Sequence, residues 1–162
     1  MGGSRFTASS YDTYASNNLR SASGATLSAR DTFTAKAPVK EYQAADIKVR
    51  ESRDSEANPN SRAIIMALDF SSSMAGVIHE MVNKYVPNLM GSIIEVQSVS
   101  DPHLMAIGVR DYKDGYRYRS ALQATRFEAD YKVSEQLQKF SDVGVGGGGN
   151  QEESYAMAWA LS

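Results

Sequence analysis

An acidic residue and two serines alternate along the chain at Asp69, Ser71 and Ser73, in the stretch LDFSSSM. Side chains two residues apart point the same way in an extended or turning backbone, so these three can converge. Carboxylate and hydroxyl oxygens suit a hard cation such as Mg²⁺, which takes few protein ligands and keeps several waters. The same residue types also cap helices, and a helix is predicted to begin near Met74. The spacing leaves both interpretations open, and the two are compatible.

The elements around this stretch are predicted to place it at the edge of a sheet. AIIMALDF, residues 63–70, is an apolar run of strand length, typical of a central parallel strand covered on both faces. Helical spacing of apolar residues predicts a helix over residues 75–90, which Pro87 is expected to kink or end early. The residues expected on its apolar side are Ile78, Met81, Val82, Tyr85, Val86 and Leu89. LMAIGVRDYKDG then predicts a second buried strand that runs into an acidic turn.

The rest of the chain continues this alternation. TRFEADYKVSEQLQKF predicts a short strand and then a helix with Val133, Leu137 and Phe140 on its apolar side, and a glycine loop and a final helix follow. This order of elements predicts a doubly wound, Rossmann-like α/β domain. Such domains bind ligands in the crevice at the carboxyl ends of their strands, which is where Asp69 is predicted to lie.

Residues 1–60 have a different composition, rich in Ser, Thr, Ala and Tyr and poor in aliphatic residues. Such a segment buries little area by itself. We therefore expect an irregular N-terminal arm that is disordered or docks on the body or on a neighbouring subunit. KVRESRDSEANPNSR is typical of a linker or an outer turn. The predicted division is an arm and linker over 1–60 and an α/β domain over 61–162.

The composition limits the classes of protein to consider. With 162 residues, 42% hydrophobic and 22% charged, the chain can form one globular domain with a sizeable core. The net charge of −2 gives no reason to expect nucleic acid, and the lack of cysteine excludes disulfides and thiolate metal sites. No stretch resembles a signal peptide or approaches the roughly 18 apolar residues that cross a membrane. We expect a soluble, cytoplasmic protein without membrane contact.

Two enzyme-like patterns are incomplete. Gly144, Gly146 and Gly149 have the G-x-G-x-x-G spacing, but they do not follow the first strand and no acidic partner comes about 20 residues later. A Ser-His-Asp hydrolase would require a Gly-x-Ser-x-Gly elbow, which the sequence lacks. Neither pattern therefore predicts an enzyme.

Solvated positions are expected for both histidines, with His79 on the polar side of the first helix and His103 in a turn. Asp111 and Asp114 lie in RDYKDG, at the end of the second predicted strand. They either belong to an ordinary turn or line the same rim as Asp69.

The apolar strand, the Asp-x-Ser-x-Ser sequence, the following Met and the amphipathic helix together resemble the metal-ion-dependent adhesion site of von Willebrand factor type A domains. The resemblance covers about residues 61–162 and implies a doubly wound, mostly parallel sheet. It also implies that Asp69, Ser71 and Ser73 form the first metal-binding loop, with Ser72 where the family often has Gly. Within the family, the sequence is most similar to a little-characterised branch found in bacteria and large bacteriophages.

GVGGGGNQEESYAMAWAL is similar to the second, glycine-rich metal loop of this family. The resemblance places Asn150 at the oxygen-donor position and matches Glu153 to an acidic residue of one variant, at the rim of the site. Asn150 and Glu153 also form a capping-box-like pair, so a metal ligand and a helix cap remain alternatives. The third loop of the family carries an Asp after a further strand. Since the sequence ends at Ser162, we expect either a longer gene product or a domain without that residue.

The resemblance implies a non-enzymatic protein-binding module that holds Mg²⁺ or Mn²⁺ and recruits an Asp or Glu carboxylate of a partner protein. An alternative is a structural or assembly protein, phage-encoded and located in the virion, that uses the fold as a scaffold and self-assembles through the N-terminal arm. A regulatory subunit of an ATPase or chaperone is a third alternative.

Overall fold

The structure, a computed structural model, describes residues 7–96, 99–111 and 121–144. Its helices and strands, in chain order, are α1 (Ala8–Asn18), α2 (Ala29–Thr32), β1 (Arg62–Asp69), α3 (Ala75–Glu80), α4 (Val86–Glu95), β2 (Pro102–Val109), β3 (Leu122–Ala124) and α5 (Lys132–Leu137). Short 3₁₀ turns cover Lys40–Tyr42, Ala44–Asp46 and Ser72–Met74, and a π-helical segment, Met81–Tyr85, joins α3 to α4. The predicted final helix and the part of the glycine loop beyond Gly144 lie outside the described residues.

The described strands form one mixed sheet in the order β1-β2-β3. β1 and β2 are parallel, with Asp69 opposite Val109, and α3 and α4 form the crossover between them. β3 is antiparallel to β2, with Ala124 opposite Ile107. The predicted α/β class is therefore confirmed. The doubly wound arrangement of the von Willebrand factor A type stays a prediction.

β2 is the central strand of the described sheet and is buried along its whole length. Leu104 and Ala106 face a core cluster that also contains residues of the helices α3 and α5. Met105, Ile107 and Val109 face a second cluster, which they form with β3 and the turn at Ala44–Asp46. Successive residues of a strand point to opposite faces, so burial of both faces explains why this run is continuously apolar.

β1 lies at one edge of the described sheet, and most of its residues are exposed or half-buried. Leu68 is buried, whereas Ala63 and Ala67 are exposed. Within the described residues, the prediction of a central strand covered on both faces is therefore wrong for β1. β1 and β2 are similarly apolar, so their composition does not show which of the two is flanked on both sides.

The strand after β2 lies earlier than predicted, at Leu122–Ala124 instead of within TRFEAD. The predicted segment still contacts β2, through an isolated bridge between Leu104 and Glu128. Between the two pairings, the Thr125 hydroxyl accepts the Ala106 N–H at 2.9 Å. The apolar side predicted for the helix that follows is confirmed, since Val133, Leu137 and Phe140 are fully buried.

Pro87 does not end the helical run after β1. In a regular α-helix its ring would clash with the carbonyl four residues earlier, and it has no N–H to donate. The preceding π-helical segment changes the register, because the Val86 N–H donates to Met81 O, five residues back. The run then continues to Glu95, beyond the predicted end.

The helical run packs on the sheet through Ile78, Val82 and Val86, which are all buried. Tyr85 and Leu89, which were expected on the same apolar side, are exposed. No helix in the described ranges combines the length and the apolar character needed to span a bilayer.

The described part of the N-terminal segment packs against the rest of the fold. Tyr42 belongs to the core cluster that covers the helical face of the sheet, and its ring centroid is 5.8 Å from that of Phe140. Tyr14 of α1 stacks on Tyr131, with ring centroids 5.1 Å apart. The domain boundary between residues 60 and 61 stays a prediction.

Candidate functional site

The turn from Asp69 to Ser73 lies at the carboxyl end of β1. Ser71 N donates to Asp69 Oδ1 at 2.8 Å, and the Oγ atoms of Ser71 and Ser73 are 3.3 Å apart. Ser71 is buried, Asp69 is half-buried and Ser73 is exposed. The three side chains are thus neighbours that extend from the edge of the core to solvent. Their role as ligands stays a prediction.

Capping of the following helix does not account for the serine hydroxyls. Ser71 precedes the 3₁₀ turn Ser72–Met74, and Met74 precedes α3, but neither residue makes a side-chain capping hydrogen bond. Asp69 instead accepts a backbone N–H two residues ahead, which is an Asx turn. The Asx turn fixes the carboxylate against the backbone of Ser71.

Phe70 anchors this turn in the core. Its side chain is 1% exposed, and its ring centroid lies 5.7 Å from that of Phe140. A Cβ atom at Gly108, on β2, would lie only 2.6 Å from Phe70 Cε2, so the glycine is what lets the ring lie against the strand. Because side chains alternate along an extended chain, burial of Phe70 directs Asp69 and Ser71 to the other side.

Asp111 lies at the same edge of the sheet. Val109, the last residue of β2, is opposite Asp69, and Phe70 N donates to Val109 O at 2.8 Å. Asp111 follows two residues later and is 2% exposed. It therefore comes from the neighbouring parallel strand and is buried, which differs from an ordinary exposed turn. Asp114 lies outside the described residues.

The start of the glycine loop also reaches this edge. Gly144 N donates to Phe70 O at 3.1 Å, between Asp69 and Ser71 in the sequence. Gly144 has φ +69°, and a Cβ atom there would lie 2.5 Å from the Cβ of Ala75, the first residue of α3. Asn150 and Glu153, the predicted donor and rim residue of this loop, lie outside the described residues.

Two residues that the sequence analysis did not single out, Gln123 and Arg110, hold the segment before Gly144. Gln123 clamps Ser141, because its Nε2 donates to Ser141 O at 3.0 Å and its Oε1 accepts from Ser141 N at 3.1 Å. Arg110 is 1% exposed, and its Nη1 donates to Asp142 O at 3.0 Å. The sequence did mark Gln123, because it is a polar residue between two apolar ones in a short strand.

The prediction of a solvated position is wrong for His103, and His79 is half-buried. His103 lies in β2, is 2% exposed, and has its Nδ1 3.0 Å from Ser52 Oγ. Burial lowers the pKa of His103 below its usual 6.5, and the charges of Glu128 and Asp101 oppose this shift. His79 is half-buried, and its Nε2 donates to Leu27 O at 2.9 Å. Both rings therefore contact the first 60 residues, His79 through Leu27 and His103 through Ser52.

Within the described ranges, no group of three or more His, Cys, Asp or Glu side chains is placed to hold a metal ion. A cation at the end of β1 would therefore depend on hydroxyl and water oxygens beside few carboxylates. That donor set suits a hard cation such as Mg²⁺, which commonly keeps several of its waters.

The fold and this site define a broad class: an α/β protein with an open mixed sheet and a polar cluster at the carboxyl ends of its parallel strands. No protein-family model matches the chain, and neither a curated protein nor a solved structure matches it. Membership of the von Willebrand factor A family therefore stays a prediction from the sequence.

Proposed function

We propose that the protein is a protein-binding module that depends on a divalent cation bound between β1 and α3. The observation that carries the proposal is the pair of Ser71 and Ser73 hydroxyl oxygens, 3.3 Å apart and used by no helix cap, in the turn whose backbone Asp69 accepts from. The Ser73 hydroxyl has no evident packing role, since Ser73 is exposed and the buried apolar anchor of the turn is Phe70.

Asp69, Ser71 and Ser73 would hold the cation. Carboxylate and hydroxyl oxygens carry more than one lone pair, so the hydrogen bonds within the turn leave capacity for coordination. Oxygen ligands and partial exposure favour Mg²⁺ or Mn²⁺, with waters completing the shell. We propose Asn150 as a further donor and Asp111 and Glu153 as rim residues.

The proposed mechanism follows from the charge of such a site. One carboxylate and neutral hydroxyls leave a divalent cation with net positive charge, and its waters can exchange for another oxygen ligand. An Asp or Glu side chain of a partner protein fits that position. Partner binding would then require the cation and an acidic group together.

The hydrogen bond from Gly144 to Phe70 supports this assignment. It brings a second, sequence-distant loop to the turn that contains Asp69. Sites at the carboxyl ends of parallel strands are commonly built from several such loops, because these ends meet at one edge of the sheet.

The first test is a titration of Mg²⁺ and Mn²⁺ followed by thermal unfolding, with Asp69→Asn as the variant and Asp12→Asn as the control. Asp12 is exposed on α1, and the amide keeps the size of the carboxylate at both positions. Binding to the folded state raises the apparent stability by mass action. We expect a metal-dependent rise in Tm for the wild type and for Asp12→Asn that Asp69→Asn lacks. Equal responses of all three proteins would refute the site.

The second test asks whether the cation accepts a carboxylate, with acetate as the probe. Mn²⁺ bound to the protein enhances water proton relaxation, and acetate that replaces a bound water should reduce this enhancement in the wild type. If the site binds Mn²⁺ but acetate has no effect, the protein has a metal site that does not recognise a carboxylate, and the proposed partner binding is refuted. Large particles that form in EDTA, measured by sedimentation velocity, would favour the assembly protein instead.

A further inference from the structure

A small cavity beside the segment that follows β3 has three arginines in its lining. Its volume is about 260 Å³, and it is lined by Val49, Arg50, Glu51, Arg53, Arg126 and Phe127. None of these residues belongs to the turn at the end of β1. Three guanidinium groups and one carboxylate thus surround the cavity, in a chain whose net charge is −2.

The carboxylates near the cavity do not neutralise its arginines equally. Arg53 is paired with Glu51, and its Nε and Nη2 both lie 2.6 Å from Glu51 Oε2. Arg126 is 3.5 Å from Glu41 Oε2, a long contact between half-exposed groups. Arg50 donates to the backbone carbonyl of Glu41, which carries no formal charge. Arg50 and Arg126 therefore share a single carboxylate, that of Glu41.

The surroundings of Arg50 disfavour the charged form of its side chain. Burial, and then the positive charge of Arg126, lower the pKa of Arg50, which Glu41 partly offsets. Its Nε atom is buried and has no hydrogen-bond partner among the described residues. A buried guanidinium N–H without an acceptor is costly, so the hydrogen-bonding capacity of Arg50 is not satisfied by the described residues. Arg50 also lines the cavity, where its guanidinium can bind an anion.

We propose that this cavity binds the phosphate group of a small molecule, held by Arg50 and Arg126. Planar guanidinium groups offer paired N–H donors that match the oxygens of a phosphate. Two guanidinium groups beside the one carboxylate of Glu41 leave an excess of one positive charge, which favours an anion. The donors of two guanidinium groups match the several oxygens of a phosphate better than the two of a carboxylate. The volume admits a phosphate with a small organic part, because cavities for larger ligands are typically about 300–1,000 Å³. The side chains of Val49 and Phe127 offer the apolar contact for that part.

The experiment is a titration with inorganic phosphate and with phenyl phosphate, observed by ¹H–¹⁵N NMR in EDTA at constant ionic strength set with chloride. EDTA separates this site from a cation at Asp69. We expect the Arg50 Nε–H resonance and the amides of Arg126 and Phe127 to shift and saturate. Tighter binding of phenyl phosphate identifies an organic phosphate, and equal binding of both identifies free phosphate as the ligand.

Three variants decide the assignment. Arg126→Gln, half-exposed in the wild type, should weaken binding about tenfold or more, since it removes a charged donor. Glu41→Gln should strengthen binding about threefold to tenfold, because it removes the competing carboxylate and leaves the backbone carbonyl that Arg50 contacts. Arg62→Gln, an exposed arginine on β1, should change the affinity less than twofold. The absence of saturable shifts in both wild type and Glu41→Gln, or equal binding by Arg126→Gln, would overturn the proposal.

Discussion

Phe70 and Gly144 are 74 positions apart in the sequence, and Gly144 N donates to Phe70 O at 3.1 Å. Phe70 is buried between Asp69 and Ser71, and Gly144 opens the glycine-rich segment. This hydrogen bond therefore joins the two parts of the chain from which the proposed cation site is built. A Cβ atom at Gly144 would lie 2.5 Å from Ala75 Cβ, so the join depends on the lack of a side chain at Gly144.

Gly144→Ala should destabilise the fold by about 1–3 kcal/mol, because the new Cβ combines a positive φ with a contact of 2.5 Å to Ala75 Cβ. Urea denaturation measures the change. Adding Ala75→Gly should recover the steric part and leave about 1–2 kcal/mol from the backbone conformation. Gly76→Ala is the control, since a Cβ there meets no atom within 4 Å. Alanine is more stable than glycine in a helix, so this change should raise the free energy of unfolding by up to about 1 kcal/mol. Equal effects of Gly144→Ala and Gly76→Ala would contradict the contact.

The three consecutive serines allow a matched test of the proposed cation ligands. Ser71→Ala and Ser73→Ala should each lower the affinity for Mn²⁺ about tenfold, because each removes an oxygen ligand from a site with few charges. Ser72→Ala should change it less than twofold, since Ser72 is exposed and is not among the converging side chains. Electron paramagnetic resonance of free Mn²⁺ measures all three affinities. A loss in Ser72→Ala as large as in its neighbours would show that the hydroxyls at 71 and 73 have no special role.

Thr32 and Asn83 form a buried polar pair between α2 and the π-helical segment. Asn83 Nδ2 donates to Thr32 Oγ1 at 3.0 Å, and the two residues are 1% and 9% exposed. Thr32→Val and Asn83→Leu should each cost about 1–3 kcal/mol, because each leaves a buried polar group without its partner. The double variant should cost less than the sum of the two, by about 0.5–3 kcal/mol.

Thr13→Val is the control for this cycle. Thr13 is an exposed helical threonine that donates to the carbonyl four residues earlier, as Thr32 also does. Its loss should change the free energy of unfolding by less than about 0.5 kcal/mol. Additive effects of Thr32→Val and Asn83→Leu in chemical denaturation would refute the coupling.

His103 should make the stability depend on pH. Its pKa is lowered in the folded state by burial, so between that value and 6.5 the unfolded chain binds the proton more readily. The contribution is present above pH 6.5 and is lost as the pH falls towards the folded pKa. Urea denaturation at pH 7.5 and at pH 5.5 should therefore show a smaller loss of stability on acidification for His103→Gln than for wild type. An identical loss would mean that the imidazole does not titrate differently in the two states.

Much of the local structure was predictable from the sequence. The continuous apolar runs predicted β1 and β2, and the spacing of Ile78, Val82 and Val86 predicted a helix between them. The alternation of Asp69, Ser71 and Ser73 predicted neighbouring side chains. These features depend on residues close in sequence, because the periods of strands and helices determine which side chains share a face.

Other features were settled only by the tertiary structure. Whether β1 or β2 is central depends on which strands pair with each of them. The two apolar runs are similar, so their sequences do not indicate these pairings. The burial of His103, the clamp of Gln123 on Ser141 and the cavity beside Arg50 and Arg126 all arise from residues far apart in the chain. Phe70 illustrates the division: its apolar side chain made burial predictable, but its backbone partners, Val109 and Gly144, depend on how distant segments pack.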